Sequence, residues 1–150
     1  MELSAATSER YLRHAFRQML QVADRLGDDL VNQRPHGPST NSVAGLIVHC
    51  CGMAPWWMGH VALGDPTERA RESEFEAMAT VAELHALVDA AVEELATLVG
   101  RLAAGEGCDE GGRQFLLDGD DSDASVVVHV LEELYQHLGH MELTADALGV

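Results

Sequence analysis

The chain has 150 residues, with 9 basic and 25 acidic side chains, a formal net charge of -16 and 47% hydrophobic residues. This length predicts one domain with a substantial core, and the apolar content excludes an intrinsically disordered chain. So acidic a surface disfavours binding to nucleic acids or anionic membranes, and the absence of lysine excludes a Schiff-base or P-loop lysine.

The first half of the chain predicts two long helices. Apolar residues recur at helical spacing over residues 8–26, and Gly27 is a natural stop. The second helix has three successive N-cap candidates at residues 39–41 and runs to about Leu63. Proline inside a helix removes one hydrogen bond, so we expect a bend at Pro55.

The second half predicts two more helices. Residues 65–79 are predicted to be irregular, and a helix follows that begins with the capping-box pair Thr80 and Glu83 and runs to Leu102. A polar, glycine-rich loop is predicted at residues 111–122.

The last helix is predicted to begin at Ser122 or Asp123 and to end near Leu148, before Gly149. Four amphipathic helices without a convincing strand indicate an all-α fold, a four-helix bundle. We expect residues 1–150 to form this one domain.

The central segment, residues 35–64, contains no Asp, Glu, Lys or Arg. A membrane span is the alternative, but the histidines, proline and glycines within the segment and its weakly basic flanks favour a helix buried in the bundle. His49 lies in the apolar run 46–51, where a buried imidazole needs a partner. For this histidine alone, a bond to a backbone carbonyl or a tyrosine is the simpler interpretation.

The last helix carries a narrow stripe of titratable side chains. At about 3.6 residues per turn, four of them share one stripe beside the core-facing side: His129, Glu133, His137 and His140. Residues four apart on a helix can bind one ion, and imidazoles with a carboxylate suit Zn²⁺, Ni²⁺, Fe²⁺ or Co²⁺. With His49 from a facing helix, the stripe predicts a metal site with open positions; the alternatives are a solvated helix edge or a pH-dependent charge cluster.

Most of the chain resembles the DinB-like family of metal-binding four-helix bundles. The resemblance is clearest in residues 41–49, in the Trp56–Trp57 pair that follows, and in residues 129–140. This family includes bacillithiol and mycothiol transferases and the mycothiol-dependent maleylpyruvate isomerase. Its metal ligands are a histidine on the second helix and two residues four apart on the fourth.

Carried over to this chain, the resemblance implies that His49, Glu133 and His137 bind a divalent transition metal, with Zn²⁺ or Ni²⁺ as the leading candidates. Glu133 stands where many relatives carry histidine, and His140 stands where many carry glutamine. We assign His140 and His129 a catalytic role, either orienting a ligand or moving a proton.

The resulting hypothesis is a thiol-dependent transferase or isomerase that acts through a metal-bound thiolate. The resemblance implies mycothiol or a related low-molecular-weight thiol, whose pKa the metal would lower so that it attacks an electrophilic small molecule. The alternatives are a metal-assisted hydrolase and a non-catalytic metal-binding stress-response protein.

The chain is expected to be cytoplasmic, because residues 1–4 lack a signal-peptide pattern and its 3 cysteines do not suggest a disulfide scaffold. Neither nucleic acid nor membrane is expected as a partner. A homodimer is expected, since relatives often dimerise and the helical angle of Trp57 predicts that it faces outward.

Overall fold

The computed structural model describes residues 3–108, 113, 116 and 120–150. Within these ranges the regular structure is helical throughout and four of the helices are long, which confirms the predicted all-α bundle. In chain order the elements are α1 (Ala5–Leu30), a 3-10 turn (Gly37–Ser39), α2 (Val43–Pro55) with a wider π-type extension (Trp56–Ala62), α3 (Arg71–Glu74), α4 (Val81–Ala103) and α5 (Asp123–Leu148). Most of the loop predicted at residues 111–122 lies outside the described residues.

Helix α1 is longer than the sequence predicts at both ends. The Ser4 side chain accepts a hydrogen bond from the Thr7 N–H at 3.2 Å and caps the helix early. Gly27, the predicted stop, adopts φ +65° and kinks the chain, but helical structure continues to Leu30. Glycine has no Cβ and tolerates this left-handed value, so the residue produces a kink instead of an end.

Helix α2 begins just after the predicted caps and changes its winding at the predicted proline. Ser42 is the N-cap, accepting a hydrogen bond from the Gly45 N–H at 3.1 Å. Residues 37–39 form the 3-10 turn before it. Pro55 is the last α-helical residue, and the wider π-type extension follows it. Proline has no N–H to continue the α-helical ladder, and such wider turns relieve the mismatch.

The predicted boundaries of α4 and α5 are confirmed. In the capping box of α4, Thr80 Oγ1 accepts from the Glu83 N–H at 3.2 Å, and Glu83 Oε2 accepts from the Thr80 N–H at 2.8 Å. Ser122 caps α5 by accepting from the Ser125 N–H at 3.1 Å. Gly149 ends the helix in a left-handed conformation, with φ +85°.

The packing of the helices brings α2 against α5. Helices α1 and α2 each pack against both α4 and α5. Large apolar side chains from all four long helices fill the core, among them Phe16, Met19, Leu46, Ile47, Leu84, Leu95, Leu134 and Met141. The short helix α3 packs on α2. It lies within residues 65–79, where the sequence predicts irregular structure.

The uncharged segment at residues 35–64 is one side of this bundle, as the buried-helix interpretation predicts. Among the residues that the structure describes, none of the helices combines the length and apolar character that crossing a membrane requires.

Candidate functional site

Two of the predicted ligands meet where α2 faces α5. His49 is buried near the middle of α2, and its ring lies edge-on to the ring of His137 on α5, with the centroids 4.8 Å apart. On its other side, the His49 ring stacks on Phe75, with a centroid distance of 4.3 Å and an interplanar angle of 25°. The bundle therefore brings together histidines that are 88 positions apart in the sequence (137 − 49).

The third predicted ligand lies one helical turn from His137. Glu133 Oε2 is 3.7 Å from His137 Nε2, beyond hydrogen-bond distance, and the carboxylate is half-buried. Within the described residues, no three His, Cys, Asp or Glu side chains come close enough together to hold a metal ion. The metal set of His49, Glu133 and His137 therefore stays a prediction.

A buried carboxylate from outside the predicted set contacts His49. Glu74, at the end of α3, is only 9% exposed, and its Oε2 lies 2.8 Å from His49 Nδ1. Arg69 binds both oxygens of this carboxylate, from Nε to Oε1 at 2.7 Å and from Nη2 to Oε2 at 2.8 Å. Nη2 of Arg69 is also 3.4 Å from His49 Nδ1, a longer contact than either bond to the carboxylate.

Burial controls the charge states in this cluster. It would raise the pKa of Glu74, but hydrogen bonds from Arg69 and His49 outweigh it and hold that pKa below its usual value. Burial lowers the pKa of His49 despite the bond to Glu74. It also lowers the pKa of His137 to about 4, with further lowering from the charges of His49, His140 and Arg71.

The donor chemistry of the predicted ligands fits a divalent transition metal. Both imidazoles are neutral at pH 7, which is the form that binds metals, and Glu133 adds a carboxylate. Because Glu74 occupies Nδ1 of His49, Nε2 is the ring nitrogen left for another ligand.

A cavity of about 370 Å³ opens beside these residues. Its walls include two of the predicted ligands, a second histidine, two tryptophans and two arginines: His49, Glu133, His129, Trp56, Trp57, Arg69 and Arg71. The volume is at the low end of the range for small-molecule sites. The cavity therefore offers an apolar aromatic wall, a cation and metal-ligand chemistry in one place.

The two predicted catalytic histidines occupy different environments. His129 lines the cavity, packs edge-on against Trp57 at 4.5 Å between ring centroids, and has Nδ1 3.6 Å from Glu132 Oε2. His140 lies exposed on α5 and influences the site through its effect on the pKa of His137. The structure thus brings His129 to the cavity and leaves His140 outside the cavity lining.

The predicted orientation of the Trp57 side chain is wrong. The sequence predicts an outward-facing side chain, but Trp57 is only 9% exposed and lies in the cavity wall against His129. The prediction assumed an ideal α-helix, whereas Trp57 belongs to the π-type extension, whose wider turns rotate successive side chains differently. Cys50 and Cys51 are buried, and burial raises the pKa of Cys51 to about 12.

Sequence reasoning missed Arg69 and Glu74. Both lie in the charged stretch that the sequence predicts to be irregular, where nothing in the local pattern sets them apart from their exposed neighbours Glu68 and Glu72. The available signal was indirect: a histidine in an apolar run requires a polar partner from elsewhere in the chain.

Comparison with known proteins identifies a family whose model matches this chain. A family model described as mycothiol-S-transferase matches residues 7–148. No curated protein and no solved structure matches the chain significantly. The family match takes in α2, α4 and α5, nearly all of α1, and every residue of the site described above.

Proposed function

Since a match over this length shows that the chain belongs to the mycothiol S-transferase family, we propose that it is a metal-dependent enzyme that transfers mycothiol or a related thiol to an electrophilic small molecule. The family membership also confirms the resemblance to DinB-like proteins. The observation that carries the metal-dependent part is the contact between His49 and His137 beside the cavity.

In this proposal His49, Glu133 and His137 hold a divalent transition metal, with Zn²⁺ or Ni²⁺ as the leading candidates. When bound, such an ion supplies a Lewis acid that lowers the pKa of a thiol. Two neutral imidazoles and one carboxylate leave open coordination positions, as catalytic metal sites require.

The remaining residues of the cavity contribute binding and proton transfer. Trp56 and Trp57 form an apolar wall that excludes water from the reacting atoms. His129 lines the same cavity, and we assign it the role of accepting the proton that the thiol releases. His140 acts on the site through His137. The partners are a small-molecule thiol and its electrophile, which we expect to meet in the cytoplasm.

Metal content is the first test of the proposal. We expect the purified protein to contain about one divalent transition metal ion per chain, as measured by inductively coupled plasma mass spectrometry. A His49→Ala/His137→Ala variant should lose the metal. A His14→Ala/His85→Ala variant is the matched control, because those histidines lie on α1 and α4, away from the cavity. Full occupancy in the first variant would refute the ligand assignment.

Thiol transfer is the second test. In the Co²⁺-substituted protein, mycothiol should change the visible absorption, whereas S-methylated mycothiol, which cannot form a thiolate, should not. With a haloalkane electrophile, the enzyme should form a carbon–sulfur bond and release halide at a rate that requires the metal. Ester hydrolysis without any spectral response to thiols would replace this proposal with the hydrolase alternative.

A further inference from the structure

The ion pair between Arg69 and Glu74 is largely buried, and burial of an ion pair does not by itself favour stability. The side chains are 13% and 11% exposed, and the carboxylate lies under Arg69 against α2. Removing two charges from water costs several kcal/mol per ion, roughly, and a buried pair is often no more stable than apolar residues of the same size. A buried pair that also contacts a candidate ligand therefore calls for a functional explanation.

The geometry of the Arg69–Glu74 pair determines which ring nitrogen of His49 carries the proton. Arg69 donates to both oxygens of Glu74 and so fixes the plane of the carboxylate. An ionised carboxylate only accepts hydrogen bonds, so the 2.8 Å contact from Oε2 requires a proton on His49 Nδ1. A neutral imidazole protonated at Nδ1 carries its free lone pair on Nε2. Stacking on Phe75 fixes the plane of the ring as well.

The backbone of α2 makes room for this arrangement at Gly52. A Cβ at this position would collide with Oε1 of Glu74. Gly52 lies one turn after His49 on the same helix, so the glycine lets the carboxylate reach the side of α2 from which His49 projects. Three separate features therefore converge on one imidazole: the glycine, the arginine fork and the buried carboxylate.

From this convergence we propose that Arg69 and Glu74 form a positioning pair, which holds His49 in the Nδ1-protonated tautomer and presents Nε2 to the metal. The inference rests on the proposed function for the identity of the ligand. A histidine that ligates a metal commonly donates its other N–H to a carboxylate, which fixes its orientation and raises its basicity. Arg69 also lines the cavity, but the positioning role proposed here for both residues is exerted through His49.

Glu74→Gln is the sharpest single test. The amide has one accepting oxygen, which Arg69 retains, so the NH₂ group turns toward His49 Nδ1 and forces the proton onto Nε2. The nitrogen NMR spectrum of the metal-free protein should show this change of tautomer directly. Zn²⁺ affinity, measured by competition with a chromophoric chelator, should fall about 10- to 100-fold.

A second variant separates positioning from mere structural support. In Arg69→Met/Glu74→Gln no arginine competes for the amide oxygen, which is then free to accept from Nδ1–H. We expect this double variant to return His49 to the Nδ1-protonated tautomer and to recover part of the Zn²⁺ affinity. Glu72→Gln is the matched control, since this carboxylate on the same short helix is 92% exposed, and it should change neither measurement.

The outcomes separate the two proposals. An unchanged tautomer in Glu74→Gln, or a loss of affinity that the double variant does not recover, would overturn the positioning role. A wild-type protein that binds neither Zn²⁺ nor Ni²⁺ would overturn the proposed function, and the tautomers in the same metal-free samples would still decide whether Glu74 and Arg69 position His49.

Discussion

Glu133 supplies a carboxylate one helical turn before His137. Its oxygen is 3.7 Å from His137 Nε2, so no hydrogen bond between the two has to break before they share an ion. Its neighbour Glu132 is exposed on the opposite side of the stripe and contacts His129 at 3.6 Å. Of these two adjacent glutamates, Glu133 thus lies beside a predicted metal ligand, whereas Glu132 is exposed to solvent.

We predict that Glu133→Gln weakens Zn²⁺ binding at least 10-fold, because a neutral amide is a poorer donor than a carboxylate. Isothermal titration of the metal-free protein measures this affinity. Glu132→Gln is the matched control and should retain wild-type affinity. Equal affinities for the two variants would remove Glu133 from the ligand set.

His140 tests the electrostatic surroundings of the site. It is exposed, and its charge contributes to the lowered pKa of His137. We predict that His140→Gln retains the fold and the metal but shifts the pH profile of thiol transfer, because it removes one cause of the lowered pKa of His137. Rates measured from pH 5 to 9 provide the comparison, in steps chosen to resolve a change in apparent pKa. An identical profile would refute the catalytic role assigned to His140.

At the scale of elements, the segment between α2 and α3 is tied to α4 by a salt bridge. Arg101 on α4 donates to both carboxylate oxygens of Asp65, at 2.6 and 3.1 Å, and to Glu106 at 2.8 Å. The hydrogen bond from Arg101 is the main cause of the lowered pKa of Asp65. This tie holds the start of the stretch that carries Arg69 and Glu74.

We predict that the stabilising contribution of this salt bridge is lost in acid, as Asp65 becomes protonated. The pKa of Asp65 is lower in the folded than in the unfolded chain, so its contribution is present above the unfolded value and is lost as the pH falls through the folded value. Asp65→Asn should therefore flatten the decline in the free energy of unfolding below about pH 4.

The expected difference for Asp65→Asn is below about 1 kcal/mol, because the pair is partly exposed and solvent screens it. Urea denaturation at several pH values measures it. Asp89→Asn, an exposed carboxylate on α4, is the control and should keep the wild-type slope. A parallel decline in both variants would contradict the role of the Asp65–Arg101 bridge.

For the whole molecule, the acidic surface contrasts with the chemistry of the cavity. The formal net charge is -16, yet two of the nine arginines, Arg69 and Arg71, line the candidate site. Glu74 neutralises Arg69, whereas Arg71 is 60% exposed, lies over the ring of Phe75 at 5.6 Å and has a long contact of 3.4 Å to the exposed Glu72. The cavity is thus less negative than the surface around it. Polar small molecules can therefore enter the cavity, whereas the acidic surface repels polyanions.

We predict that the protein is a homodimer in solution. The outward Trp57 no longer supports this, since that side chain is buried, but Val128 and Leu143 on α5 are 53% and 68% exposed and lie about 60° apart around the helix. Light scattering should give twice the chain mass, and Val128→Glu/Leu143→Glu should halve it. A monomer at high concentration would contradict the prediction.

The sequence by itself determined the four long helices and the histidine stripe, because both depend on local order. Caps such as Ser122 and the Thr80–Glu83 box act within one helical turn, and the spacing from Glu133 to His137 places both on one face wherever the helix packs.

Only the tertiary structure decided which partners surround the buried histidine. Glu74 lies 25 positions from His49, in a stretch without periodicity, and reaches it because α3 packs on α2. Trp57 turned inward because the helix widens after Pro55, which an ideal helical angle does not include. Contacts between distant segments depend on how the elements pack, and local propensity carries no record of that packing.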